Sequence, residues 1–140
     1  MSNQPLLYGT PINLAQAQSV IAAAAEEARK NGWNMAIAVV DCGGNLVAFV
    51  RMDGTQIGST EVAIAKATAA NNFKRSTRVM DESVTAGGPG LRLLAIPGVV
   101  PIEGGELIVR GGTIVGAIGV SGSLSANDLQ TAVAGANAAI

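Results

Sequence analysis

Apolar residues recur at helical spacing through residues 13–32, where Leu14, Ala17, Ile21, Ala24 and Ala28 share one face. Asn13 with Gln16 three positions on forms a capping-box pattern, and Asn31-Gly32 is a stop signal. The pattern then changes. Residues 35–40 and 46–52 are short apolar, β-branched runs around the turn cluster Asp41-Cys42-Gly43-Gly44-Asn45, which predicts a β-hairpin closed by Asp53-Gly54. Alternation puts Val47, Phe49 and Arg51 on one face of its second strand and Leu46, Ala48, Val50 and Met52 on the other.

Helical spacing returns over residues 59–72, with Val62, Ala65 and Ala69 as the apolar stripe and Lys66 on an adjacent face. Residues 76–82 predict a short further helix. The breakers Thr85-Ala86-Gly87-Gly88-Pro89-Gly90 and Pro97-Gly98 bracket residues 91–96, a run too short to assign. A second hairpin is predicted from residues 106–109 and 113–120 around Arg110-Gly111-Gly112, and residues 99–102 read as a short edge strand because Pro101 suits no central one. A last helix starts at a Ser125 cap with Asp128 in its first turn, and buries Leu129, Val133, Ala136 and Ile140. The order is α-β-β-α-(α)-β-β-β-α. Hairpins dominate over βαβ units, so the expected fold is α+β: an antiparallel sheet of about five strands with helices packed on it, forming one domain over residues 1–140.

Composition narrows the function. Hydrophobic residues make up 49% of the chain and aromatics only 3%, so the core is built from small side chains, alanine above all. Alanine-rich helix faces allow close packing on a neighbour, which motivates a homo-oligomer larger than a dimer. Net charge is −1 with 14% charged residues, and the only basic cluster, Lys74, Arg75 and Arg78, reads as a solvated helix end. Nucleic-acid binding is therefore not expected. The longest apolar runs fall short of a membrane span, and Met1 to Thr10 shows no leader pattern, so the expected location is the cytoplasm. A single cysteine, Cys42, rules out an intrachain disulfide. There is no histidine, which removes a Ser-His-Asp triad, a histidine zinc site and a histidine-ligated haem; no metal site is expected.

Ala38-Val39-Val40-Asp41 with Gly44-Asn45-Leu46-Val47, then Arg51-Met52-Asp53-Gly54, Ala65-Lys66-Ala67-Thr68-Ala69 and above all Gly116-Ala117-Ile118-Gly119-Val120-Ser121-Gly122 resemble the GlcG/HbpS family, a domain also found at the C-terminal end of PduO-type adenosyltransferases. The resemblance covers nearly the whole chain after about residue 12. It implies an oligomer with a ligand pocket, and for some members haem or a corrinoid as ligand. Two positions depart from the family pattern. Haem-binding relatives use a histidine, which this chain lacks. Where the family commonly has Gly-Gly-Val-Pro-Ile, this chain reads Gly104-Gly105-Glu106-Leu107-Ile108, with Glu103 just before.

Glu106 stands at one of these departures, and several other residues are candidates for the site on their own chemistry. Gly104 and Gly105 would let backbone amides approach an anionic ligand, or simply form a tight turn. Glu106 in a pocket would gain acid–base character through desolvation, or form with Glu103 a solvated pair at the start of an edge strand. Lys66 would be a lowered-pKa base if buried or, like Arg51, stabilise developing negative charge, and is otherwise a solvated helical lysine. Arg51 would hold a ligand carboxylate or pair with Asp53 or Asp41, and the Ser121 hydroxyl would contact a ligand. Cys42, Met52 and Tyr8 are the remaining iron ligands by type, though each reads as ordinary structure. Two functions stay open beside a third, purely structural role as an assembly module. The first is a small-ligand-binding oligomer for a tetrapyrrole bound without histidine or for a small organic acid. The second is a cofactor-independent isomerase, cyclase or lyase acting on a small carbonyl compound, with Glu106 and Lys66 as its catalytic groups.

Overall fold

The computed structural model describes residues 6–140; the first five residues, part of the segment read above for a leader, lie outside it. Among the described residues the strands are β1 (Leu7–Tyr8), β2 (Ala36–Asp41), β3 (Leu46–Arg51), β4 (Gly105–Arg110) and β5 (Thr113–Ser121). The helices are α1 (Leu14–Lys30), α2 (Ser59–Phe73), α3 (Thr77–Thr85) and α4 (Ser125–Ala136), with a 3-10 helix over Gly88–Ala95.

β5 is the centre of the sheet. It pairs antiparallel with β2 and with β4, and β3 pairs antiparallel with β2. The fifth strand is not the predicted 99–102 segment, which forms no strand. It is β1, which runs parallel to the start of β5 through Leu7↔Thr113 and Tyr8↔Ile114. The sheet is therefore mixed but mostly antiparallel. Asn13 caps α1 as expected, with both capping-box bonds to Gln16 present.

The two sheet faces differ in side-chain size. Ile37, Val39, Ile108, Ile118 and Val120 pack with the buried alanines and Val20 of α1 and with Ala132 of α4. On the other face Ala36, Ala38, Val40 and Ala117 meet Ala63, Ala67 and Ala70 of α2. Small residues on both sides bring α2 close to the sheet. Much of the alanine content is thus consumed inside the chain.

Several helix faces are rotated from the expected ones. α2 buries Ser59, Ala63, Lys66, Ala67, Ala69, Ala70 and Asn71, while Val62 and Ala65 are exposed. α4 buries Asp128, Thr131, Ala132 and Gly135; Leu129 and Ala136 are half-buried and Val133 is exposed. Leu14 is 54% exposed. In each case small or polar residues make the closest contacts, and the larger apolar groups are left at the margin. Ser125 is not the α4 cap. Leu124 holds that position without a side-chain bond, and the Asp128 carboxylate accepts from the Ser123 amide instead. On β3, Val47 joins Ala48, Val50 and Met52 against the α1 core, because a register shift between Val39 and Val40 breaks strict alternation.

Candidate functional site

Lys66 projects from α2 toward the end of β5. Its Nζ donates to the Asp128 carboxylate of α4 at 3.0 Å and to the Val120 carbonyl at 2.9 Å. Lys66 is 1% exposed and Asp128 3%. Burial pushes the ammonium's pKa down and the carboxyl's up, and each partner's charge pulls the other back. The pair ties α2, β5 and α4 together from within. Its ammonium faces protein on all sides, not an open pocket.

The glycine pair belongs to the same packing. A Cβ on Gly104, where φ is +127°, would lie 2.5 Å from the Val120 oxygen and 2.9 Å from Lys66 Nζ. One on Gly105 would lie 2.4 Å from the Lys66 carbonyl oxygen. The Gly105 amide donates to Thr77 Oγ1 at 2.9 Å. These glycines are needed for close approach, and the Gly105 amide is not free for an anion. Ser121 is buried and donates to Ser59 Oγ at 3.3 Å.

Glu106 lies next in β4 and is half-buried. The Ser76 hydroxyl, at the cap of α3, donates to its Oε1 at 2.8 Å. Burial raises the Glu106 pKa above the ordinary glutamate range. The Ser76 bond and the nearby Arg78 charge oppose this, and Glu103 adds to it. Because the folded-state value is raised, Glu106's contribution to stability is present below its unfolded pKa and is lost as pH rises through the folded one. We expect Glu106→Gln, which can still accept from Ser76, to fold normally and to be at least as stable as the parent at neutral pH. Carbon-13 NMR of the carboxyl should show a raised midpoint that climbs further in Arg78→Ala. An ordinary midpoint, insensitive to Arg78, would remove the acid–base reading.

Arg51 is elsewhere. It lies exposed on the outer strand β3, in a surface cleft with Arg29, Asn34, Met52 and Asp53. Among the described residues it forms no ion pair, so neither expected partner is engaged; Asp41 instead accepts from the Gly43 and Asn45 amides of its own turn. The sequence candidates therefore separate into a buried cluster (Lys66, Gly104, Gly105, Ser121), a partly open carboxylate at the β4–α3 junction (Glu106) and a remote cation (Arg51). The iron-ligand candidates are engaged too. Tyr8 Oη donates to the Asn71 carbonyl at 2.6 Å, Cys42 Sγ to that of Gly9 at 3.4 Å, and Met52 packs on the α1 core.

One feature was not anticipated from sequence. A cleft of about 140 Å³ opens between α3 and the 3-10 helix. None of the residues of that 3-10 helix is buried, and Leu94 is 63% exposed. The run Leu91-Arg92-Leu93-Leu94-Ala95-Ile96 between two breaker clusters was the available signal: an apolar segment too short and too tightly bracketed to enter the core.

The family model described as "Haem degrading protein HbpS-like" matches residues 12–137. The chain is 40% identical to Protein GlcG of Escherichia coli over 114 residues, covering 80% of this chain and 84% of that one. Among solved structures, a double mutant of Streptomyces reticuli HbpS superposes with a TM-score of 0.83 at 31% identity, over 97% of this chain and 93% of the other. A PduOC:heme complex shares the fold with a TM-score of 0.81 at 24% identity, over 93% and 98% of the two chains. With the family pattern running through nearly all of its length, the chain belongs to the HbpS-like family.

Proposed function

We propose that the protein is an oligomeric small-ligand-binding protein of the GlcG/HbpS type, taking a tetrapyrrole without histidine ligation or a small organic acid. The observation that carries this reading is the apolar surface left uncovered on the chain. Leu91, Leu94, Ile96 and Ile102 are exposed along one stretch, and Ile57 and Val62 are exposed at and just before the start of α2. Such surface on a small domain marks a place where a ligand or another subunit sits. A relative's complex with haem and the haem-linked description of the family support the tetrapyrrole arm. Of the residues singled out from sequence, Glu106 and Arg51 are the charged groups a ligand can reach. Lys66, Gly104, Gly105 and Ser121 act by holding the surrounding elements in place.

Haemin titration followed by absorption tests the ligand. The expected result is weak uptake, with a spectrum free of the sharp low-spin bands of a bis-histidine or histidine–methionine complex. A tight, stoichiometric low-spin complex would assign iron ligation to Met52, Cys42 or Tyr8 and contradict their structural roles.

A second reading rests on the raised Glu106 pKa: a cofactor-independent isomerase, cyclase or lyase in which this carboxyl moves a proton. The buried Lys66–Asp128 pair does not offer its ammonium to a substrate, so Glu106 would act without it.

A further inference from the structure

We propose that the cleft between α3 and the 3-10 helix is a binding site for a small apolar monocarboxylate, aryl or short-chain aliphatic, with Arg75 as the group that holds the carboxylate. The inference rests on the ligand-binding reading above and names a site and a chemical class for its organic-acid arm.

The apolar lining comes from Val79 and Met80 of α3, Leu93 and Ile96 of the 3-10 segment, and Phe73 and Val99. The volume of about 140 Å³ sets the size of the occupant. An apolar cavity of roughly 150 Å³ accommodates a benzene ring. A six-membered ring or a chain of about six carbons therefore fits, and a tetrapyrrole is far larger than the cleft.

Two side chains give the lining its polarity. The Ser83 hydroxyl already donates to the Val79 carbonyl at 3.0 Å. The other is Arg75, whose position is set by the chain before it. α2 ends at Lys74 in the left-handed conformation, with φ +54°, and the Arg75 amide then donates to the Ala70 carbonyl at 3.1 Å. The Arg75 Nε donates to the Phe73 carbonyl at 2.9 Å. That bond fixes the guanidinium plane and leaves its two terminal nitrogens to bind. Among the described residues no carboxylate lies within ion-pair distance of Arg75, whereas Arg78 is paired with Glu82 at 2.7 Å. An unpaired planar fork at an apolar cleft matches one carboxylate on an apolar body. A dicarboxylate would leave its second charge against apolar walls.

The test is calorimetric titration of the full chain with 3-phenylpropionate, with the neutral 3-phenylpropionamide and with phenylsuccinate. The carboxylate should bind with a Kd on the order of 0.1–1 mM. The amide, the dicarboxylate and the Arg75→Gln variant should each weaken binding about tenfold or more. Val79→Trp, placed to fill the cleft from a partly exposed helix position, should abolish it; Ser83→Leu serves the same purpose if that variant misfolds by circular dichroism. Equal binding of acid and amide, or unchanged affinity in Arg75→Gln, would overturn the proposal. Haemin is titrated in parallel. Haemin uptake without phenylpropionate binding would sink this inference alone; uptake of neither would sink the broader ligand-binding reading as well.

Discussion

Asp128→Ala should cost about 3–5 kcal/mol of folding stability, because it strands the Lys66 ammonium in the interior with only the Val120 carbonyl as partner. Lys66→Met should be costly as well, but with the opposite pH dependence. In Asp128→Ala the orphan is a lysine whose folded pKa lies below its unfolded value. The penalty is therefore full below the folded pKa and fades as pH rises through it toward about 10, where the unfolded lysine also loses its proton. In Lys66→Met the orphan is a carboxyl whose folded pKa is raised. That penalty is full above the folded pKa and fades as pH falls toward about 4, where the unfolded aspartate also takes up a proton. The Asp128 carboxylate keeps the Ser123 amide as a donor, which moderates the second loss. The double variant Lys66→Met/Asp128→Leu should recover much of the stability, since a buried pair replaced by apolar groups is often neutral. Urea unfolding of each variant beside the parent, across pH, measures all of this. Losses below about 1 kcal/mol with no pH dependence would show that the pair is solvated and structurally idle.

Gly119→Ala is the second large effect. Gly119 sits in β5 where α2 crosses the sheet, and an added Cβ would lie 2.0 Å from the Ala63 oxygen and 2.5 Å from the Ala67 nitrogen. Both are backbone atoms of a packed helix, so relief requires α2 to lift from the sheet. The cost should reach or exceed the top of the usual overpacking range of about 1–3 kcal/mol. Gly111→Ala is the control. Its φ is +58° but nothing lies within 4 Å of the new methyl, so it should cost only the left-handed backbone penalty of about 1 kcal/mol. Equal denaturation midpoints for the two variants would mean that α2 does not bear closely on β5.

The same close packing explains what could be read from the sequence and what could not. The two hairpins and α1 were legible because their signals are local: the Asn13/Gln16 capping box, the turn residues 41–45 and the Gly111-Gly112 turn. The faces of α2 and α4 were not. Periodicity weighs large apolar residues, and here Ala63, Ala67, Ala132 and Gly135 make the interface while Val62 and Val133 point outward. Lys66 looked like a lysine beside an apolar stripe. Its burial depends on Asp128, sixty-two residues away, which no local pattern connects to it. Strand β1 has two residues and takes its place from pairing with β5 rather than from its own sequence. Glu106 stood out by departing from the family pattern, and the structure gives it a hydroxyl partner and a raised pKa. Gly104 and Gly105 carried a second, structural explanation from the outset, and the distances to Lys66 and Val120 favour that one.

Half of the alanine content that suggested oligomerisation from sequence is buried within the chain. The proposal of an assembly now stands on the exposed apolar residues instead, Ile57 at 82% exposure and the 3-10 segment foremost. Native mass spectrometry during the haemin titration reads assembly and ligand uptake together. The expected spectrum shows a species larger than a dimer that acquires haem mass non-covalently and releases it on mild activation. A bare monomer that stays monomeric at micromolar concentration, and gains no haem mass at any haemin excess, would contradict the account.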